Sequence, residues 1–344
     1  NDNVALAPKG PLSLARLRLT ATGNNDFGYY AGGGQPGHTT VDRIDYSNDT
    51  ATAVEKGPLS AAKYSMAAIG NQSFGYFSGG RPNPIGTKIE RLDYSNDTAA
   101  AVAKGPLDNE RMRHAATGNA DFGYFGGGEP GPGPTSKTSR IDYANDTATA
   151  SPKGNLSAGR EELGGTQSSD SVYFGGGKNP VVSTVDRMDF SSDSSSYSAK
   201  GPLSAVRHAL AAVSARGRGL PTTRTVTVNY AQGTYATPNT GYFGGGYQGS
   251  GTSTTVDRID YSNDTATAST KGPLVTARMK LGAVSSSSFG YFGGGESPAR
   301  VSTVERVDYF NDTVTTLAKG PLGSTAEAPA AAGNSDFGYF GGGM

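Results

Sequence analysis

Apolar residues in this chain come in short runs that glycines cut off. The run Phe122-Gly123-Tyr124-Phe125 ends in Gly126-Gly127-Gly128, and its aromatic pair returns at Tyr29, Tyr76, Tyr124, Tyr173, Tyr242, Tyr291 and Tyr339. Successive copies stand 47 to 49 residues apart, except for one interval of 69. Self-similarity at such a period marks a repeat architecture. No window keeps a helical apolar period without a glycine break, which argues against helices. The third unit divides instead into four strand-like pieces. They are a (Arg113 to Gly118), b (Phe122 to Gly126), c (Ser139 to Tyr143) and d (Thr147 to Ser151), the last leading into Lys153-Gly154-Asn155-Leu156. Turn residues separate them. Four short strands per unit, joined by hairpin-length turns, predict a propeller blade.

Alternation along piece c places Ile44 and Tyr46 on one face and Arg43 and Asp45 on the other, and these two charges are expected to pair in a blade interface. The d-to-a connection reads Lys-Gly-Pro-Leu from Lys9, Lys56, Lys104, Lys200, Lys271 and Lys319, with Asn155 replacing Pro in the remaining copy. Gly-Pro fixes the turn and Leu is expected to plug a seam. A basic residue usually follows (Arg16, Lys63, Arg111, Arg160, Arg207, Arg278), and the last unit breaks the pattern with Glu327.

Pieces a, b and d occur seven times, but piece c only six. The expected architecture is all-β: one domain over residues 1–344, a seven-bladed β-propeller of four-stranded repeats, its ring closed by the N-terminal strand. The last blade would then have three strands, borrow one from another chain, or belong to a longer product. The long interval holds an insertion at 215–239, between pieces a and b, that reads as a β-hairpin. Arg216, Arg218 and Arg224 give its base a local positive charge. A single long insertion on a regular ring is a candidate partner contact.

Arg followed by a short strand, Tyr-Phe-Gly-Gly, a variable loop and Val-Asp-Arg-Ile-Asp-Tyr resembles the kelch repeat over essentially the whole chain. That family carries a double glycine after its second strand, a Tyr ending the third and a Trp soon after. The Trp is missing here; Ala51 to Ala53 and their equivalents stand in its place. The resemblance therefore implies a divergent kelch-like propeller. Tyr-Phe-Gly-Gly-Gly with Asp-Tyr-Ser-Asn-Asp-Thr is also similar to repeats in structural proteins of marine bacteriophages, which implies a virion setting.

Composition narrows the chemistry. The 344 residues include 51 Gly, no Cys and no Trp, and only 35% are apolar. Regularly spaced Tyr and Phe separate this from disorder. Lys plus Arg and Asp plus Glu number 30 each, so no global field draws nucleic acid. Without cysteine there is no disulfide, thiolate site or thiol nucleophile. No apolar run reaches the roughly 18 residues of a membrane span. The chain does not begin with Met, and processing or a longer product is expected. His38, His114 and His208 form no cluster with metal-ligand spacing. Acidic residues recur on every piece c, which favours structure over one acid/base dyad. No enzyme, catalytic residue, metal or cofactor is expected.

The b–c loops vary most, as loops of a display scaffold do. From them come the candidate binding residues Arg81, Asn83, Glu129, Lys178, Asn179, Tyr247, Gln248, Glu296 and Arg300, beside Arg216, Arg218 and Arg224 of the insertion. Asn-Asp-Thr at Asn48, Asn96, Asn145, Asn263 and Asn311 fits the glycosylation pattern, but turn chemistry explains it more simply. The expected function is display and binding on a virion, as a tail, fibre or decoration component. The alternatives are a secreted or surface glycan-binding adhesin and a cytoplasmic interaction propeller. Partners would be other protein subunits or host-surface glycans, on a virion or outside the cell, with the oligomeric state open.

Overall fold

The computed structural model describes residues 9–82, 84–214, 239–334 and 336–343. Six four-stranded antiparallel sheets follow one another along the chain as blades. The first is β1 (Thr20–Gly23), β2 (Phe27–Ala31), β3 (Val41–Asp45) and β4 (Val54–Glu55). The second is β5 (Ala67–Gly70), β6 (Phe74–Ser78), β7 (Ile89–Asp93) and β8 (Val102–Ala103). The third is β9 (Ala115–Gly118), β10 (Phe122–Gly126), β11 (Thr138–Asp142) and β12 (Ser151–Lys153). The fourth is β13 (Gly164–Gln167), β14 (Ser171–Gly175), β15 (Val185–Asp189) and β16 (Ser198–Ala199). The fifth is β17 (Ala211–Ser214), β18 (Thr240–Gly244), β19 (Val256–Asp260) and β20 (Ser269–Thr270). The sixth is β21 (Gly282–Ser285), β22 (Phe289–Gly293), β25 (Val304–Asp308) and β26 (Leu317–Lys319), with a small hairpin, β23 (Glu296–Ser297) and β24 (Ala299–Arg300), in its b–c loop. The last unit forms a two-stranded sheet, β27 (Ala330–Gly333) and β28 (Gly338–Gly341).

The protein is thus a β-propeller with, among the described residues, six complete blades and not the seven expected. The last unit supplies only strands a and b among the described residues. First strands pack on first strands around the molecule, and β27 lies against both β21 and β1. The N-terminal strand expected to close the ring, and the inserted hairpin save Asn239, lie outside the described residues. No helix among the described residues is long and apolar enough to cross a membrane.

The seams explain why the aromatic pair repeats. Residue alternation turns Tyr29 and Ala31 toward the second blade and Tyr30 the other way, against Ala332 and Tyr339. Tyr29 stacks on Tyr94 of the next blade with ring centroids 4.7 Å apart, and Tyr76 on Tyr143, Tyr173 on Tyr261, Tyr242 on Tyr309 and Tyr339 on Tyr46 do likewise. Leu59 of the Lys-Gly-Pro-Leu turn is buried in the seam with Phe77 and Leu92, as expected of a plug. The glycine ending strand b is a matter of close approach. A Cβ on Gly126 would stand 2.8 Å from the Phe174 ring of the next blade. The next residue, Gly127, has φ +67°, a region that favours glycine.

Two sets of ion pairs hold the blades. Within a blade, a buried arginine before strand a grips the acid at the second position of strand c. The pairs are Arg16–Asp42 at 2.8 Å, Arg160–Asp186 at 2.8 Å, Arg207–Asp257 at 2.6 Å and Arg278–Glu305 at 2.5 Å, every side chain fully buried. In the third blade that strand position is Ser139, and Asp108 takes over, 2.7 Å from Arg111. The last unit carries Ala326 at the arginine position: its carbonyl accepts from Gly295, as the Arg278 carbonyl accepts from Gly246. The break expected at Glu327 therefore falls one residue earlier.

Between blades, the aspartate of Asn-Asp-Thr is a latch. Asp97 accepts from Tyr29 Oη at 2.8 Å and Arg43 Nη1 at 2.8 Å and lies 3.1 Å from Lys56 Nζ, all from the preceding unit. Asp146, Asp193, Asp264 and Asp312 repeat the arrangement. Arg43 thus pairs across the seam with Asp97 and not with Asp45, whose carboxylate caps the Ser47 N–H at 2.9 Å.

Candidate functional site

A belt of backbone runs from unit to unit along the end of the propeller where the d–a and b–c loops meet. Arg18, Ser65, Arg113, Glu162, Ala209, Lys280 and Ala328, one per unit, share a left-handed φ of 52 to 56°. Each N–H from Ser65 onward donates to the carbonyl of the previous member, at 2.8 to 3.1 Å. The residue before each member pairs with the b–c loop: Tyr64 with Arg81, Met112 with Glu129, Glu161 with Lys178, His208 with Tyr247 and Met279 with Glu296. The variable loops are thereby stitched to this belt.

Two charge clusters lie on this mouth. The larger spans blades three to five. Arg113 Nη1 donates to Glu161 at 3.2 Å and lies 3.5 Å from Glu129, with its Nε 3.8 Å from Glu162. Lys178 Nζ is 2.8 Å from Glu162, Asn179 Nδ2 donates to Glu161 at 2.9 Å, and His208 Nδ1 is 2.9 Å from Glu162. The Tyr247 ring stands 5.7 Å from the imidazole. In the smaller cluster Lys280 Nζ bridges Glu296 and Glu327, each at 2.7 Å, and Arg300 Nε reaches Glu327 at 3.4 Å.

Electrostatics follow from these contacts. Burial pushes the Glu162 carboxyl up, but the hydrogen bonds from His208 and Lys178 outweigh it and hold the group at about 2. Glu129 is raised, first by burial and then by the neighbouring Glu161 carboxylate. Burial pulls Arg113 and Lys280 down, yet their carboxylate partners leave both raised.

Of the residues expected from sequence, the structure brings together Glu129, Lys178, Asn179 and Tyr247 in the larger cluster, and Glu296 and Arg300 in the smaller. Arg81 Nε points at Met112 Sδ, 2.7 Å away. Gln248 turns back on its own loop and donates to Ser253 Oγ at 2.9 Å. Asn83, Arg216, Arg218 and Arg224 lie outside the described residues. The sequence reading missed Arg113, Glu161, Glu162, Lys280 and the mouth role of Glu327. Their signal was available: they fill the two positions after the arginine site, where the otherwise constant repeat varies as freely as its loops.

At the opposite end, strand-a termini enclose a cavity of about 180 Å³ lined by Thr22, Thr117, Thr166, Ser214 and Ser285 among others. Its hydroxyls are engaged sideways. Thr117 donates to Gln167 at 2.7 Å, and Thr166 meets Tyr261 Oη at 2.9 Å. Among the described residues no cluster of His, Asp and Glu has the makings of a metal site. His114 is fully buried, its Nε2 2.8 Å from Ser78 Oγ, and burial holds its imidazole well below the usual range, with Arg111 adding to the shift.

Fold and mouth together define a β-propeller with a charged, loop-built face. No protein-family model matches the chain, and no curated protein does. Among solved structures, "Structure of YjhT" superposes with a TM-score of 0.68 at 13% identity, covering 91% of this chain and 100% of that one. At that identity the likeness defines the fold.

Proposed function

We propose that this chain is a non-catalytic, kelch-like propeller that works by display and binding, with the b–c loop mouth as its recognition surface. In this reading β27–β28 is the seventh sector of one ring. The supporting observation is the cluster of Arg113, Glu129, Glu161, Glu162, Lys178, Asn179 and His208, assembled from three blades on a rigid belt. Its opposite charges are paired and hydrogen-bonded to one another, as suits a polar ligand held by many modest contacts. The paired arginines elsewhere are spent on holding blades. The repeat phrasing favours a virion as the setting, where the chain would be a tail, fibre or decoration component.

A second reading, a surface adhesin for glycans, draws on the partly exposed Tyr247 ring beside His208 and the Asn179 amide, a stacking surface with hydrogen-bonding neighbours. One experiment addresses the surface: a glycan array and a virion-protein overlay probed with wild type and with Lys178→Ala/Asn179→Ala. Binding lost in the variant supports the mouth. A ligand held equally by the variant, or turned over on incubation, overturns the proposal.

A further inference from the structure

The repeat carries its own control for one residue at the mouth. Three belt positions hold a cation: Arg18, Arg113 and Lys280. Two of them are closed by carboxylates at the same two places. One place follows the glycine pair of the unit's own b–c loop, and the other directly precedes the next belt member. Arg113 has Glu129 at 3.5 Å in the first place and Glu161 at 3.2 Å in the second. Lys280 has Glu296 and Glu327 there, each at 2.7 Å. Around Arg18 neither place holds an acid. The loop place is Gly34, kept in register by its N–H, which donates to the Leu17 carbonyl at 2.7 Å as Glu129 donates to Met112 and Glu296 to Met279. The His38 imidazole covers it: a Cβ on Gly34 would stand 2.5 Å from Cδ2 and 2.8 Å from Nε2. The second place is Tyr64, half-buried like His38. Among the described residues the half-buried Arg18 side chain makes no hydrogen bond or ion pair.

We propose that Arg18 anchors a carboxylate subsite, and that the carboxylate belongs to an acidic sugar of the uronate class. The proposal rests on the mouth being the recognition surface and adds a contact in the sector of units one and two. Carboxylate is the anion that both other belt cations take, and a half-desolvated guanidinium gains from a charge-assisted hydrogen bond. The surroundings favour a sugar over a peptide. Tyr64 and His38 offer ring faces with polar tips, which suits a pyranose. The local backbone is already paired: the Gly34, Lys63 and Ser65 N–H groups donate to the Leu17, His38 and Arg18 carbonyls at 2.7 to 3.1 Å, so a peptide strand finds these amides taken.

The test is isothermal titration of the whole chain at low salt with trigalacturonate, its uncharged methyl ester and triglutamate. The acidic sugar should bind, and the ester should bind about tenfold more weakly or worse. Arg18→Ala should lose the same tenfold while keeping the fold, because alanine already holds this torsion at Ala209 and Ala328. Tyr64→Glu rebuilds the internal pair seen at Arg113 and Lys280, and should close the site to a similar extent with no loss of thermal stability. Lys178→Ala/Asn179→Ala separates this proposal from the reading it rests on. Trigalacturonate weakened there but held fully by Arg18→Ala keeps the mouth and overturns the subsite, whereas binding unchanged in every variant overturns both. No binding at about 10 mM, or acid and ester binding alike, also overturns the proposal. Triglutamate binding as tightly as the sugar overturns the sugar and hands Arg18 to an acidic peptide.

Discussion

Asp108 illustrates how single residues keep the clamp intact when the repeat drifts. Strand c of the third blade has Ser139 where the other complete blades carry an acid, and the carboxylate returns from the preceding turn to reach Arg111. Burial pushes the Arg111 guanidinium down to about 10 even so. Asp108→Ala should cost about 3 kcal/mol, the usual penalty for stranding a buried charge. Adding Ser139→Asp should recover most of that loss in urea titrations, because it rebuilds the pairing of the neighbouring blades. Ser78 and His114 form a similar compensated pair, where most other units have Gly and Leu. The folded protein keeps His114 neutral, whereas the unfolded chain protonates near 6.5. The unfolded state thus binds more protons on acidification, and stability should fall as pH drops below about 6.5. Ser78→Gly/His114→Leu, which restores the residues of other units, should flatten that limb of the stability curve. Glu162 acts lower: its contribution is present above 4.5 and is lost as pH falls toward about 2.

Among elements, the c–d turn does more than turn. The sequence makes its hairpin chemistry plain, since Asn and Asp suit such turns. What it hides is that the second residue of Asn-Asp-Thr belongs to its neighbour's seam. Alternation assigns Arg43 a face but not a partner, and the nearest acid in sequence, Asp45, is the wrong one. Asp146→Asn should therefore cost about 2–4 kcal/mol, since Arg91, Lys104 and Tyr76 all lose their acceptor charge. Asp142→Asn, which only weakens a cap on the Ala144 N–H, should cost about 1 kcal/mol or less. Thermal unfolding of the two variants checks the contrast. The belt was equally hidden, because a left-handed φ at residues as unlike as Arg18 and Ala328 leaves no shared letter to read. Ala209→Gly should raise stability by roughly 0.5–1 kcal/mol, since glycine meets no Cβ penalty there.

At the scale of the whole molecule, repeat period and strand pattern made the propeller legible, because each unit repeats its aromatic pair, glycines and turn. The blade count was legible only in part: six copies of piece c match the six complete blades, whereas the seven copies of pieces a and b pointed to a seventh. Its incompleteness carries a dynamic consequence. Amides of β28, flanked by a single strand among the described residues, should exchange with solvent sooner than those of β18, which lies between two. Hydrogen-exchange mass spectrometry would register equal protection as a failure of that expectation. The candidate site was half legible: the loops announced themselves by variation, while Glu161 and Glu162 sat unnoticed between a buried arginine and a strand.

The belt around the mouth separates shape from chemistry. Its geometry rests on backbone hydrogen bonds and one torsion angle, and its side chains range from arginine through serine and alanine to glutamate and lysine. A lineage can thus rewrite the charge at the centre of this protein, letter by letter, without asking any blade to fold differently.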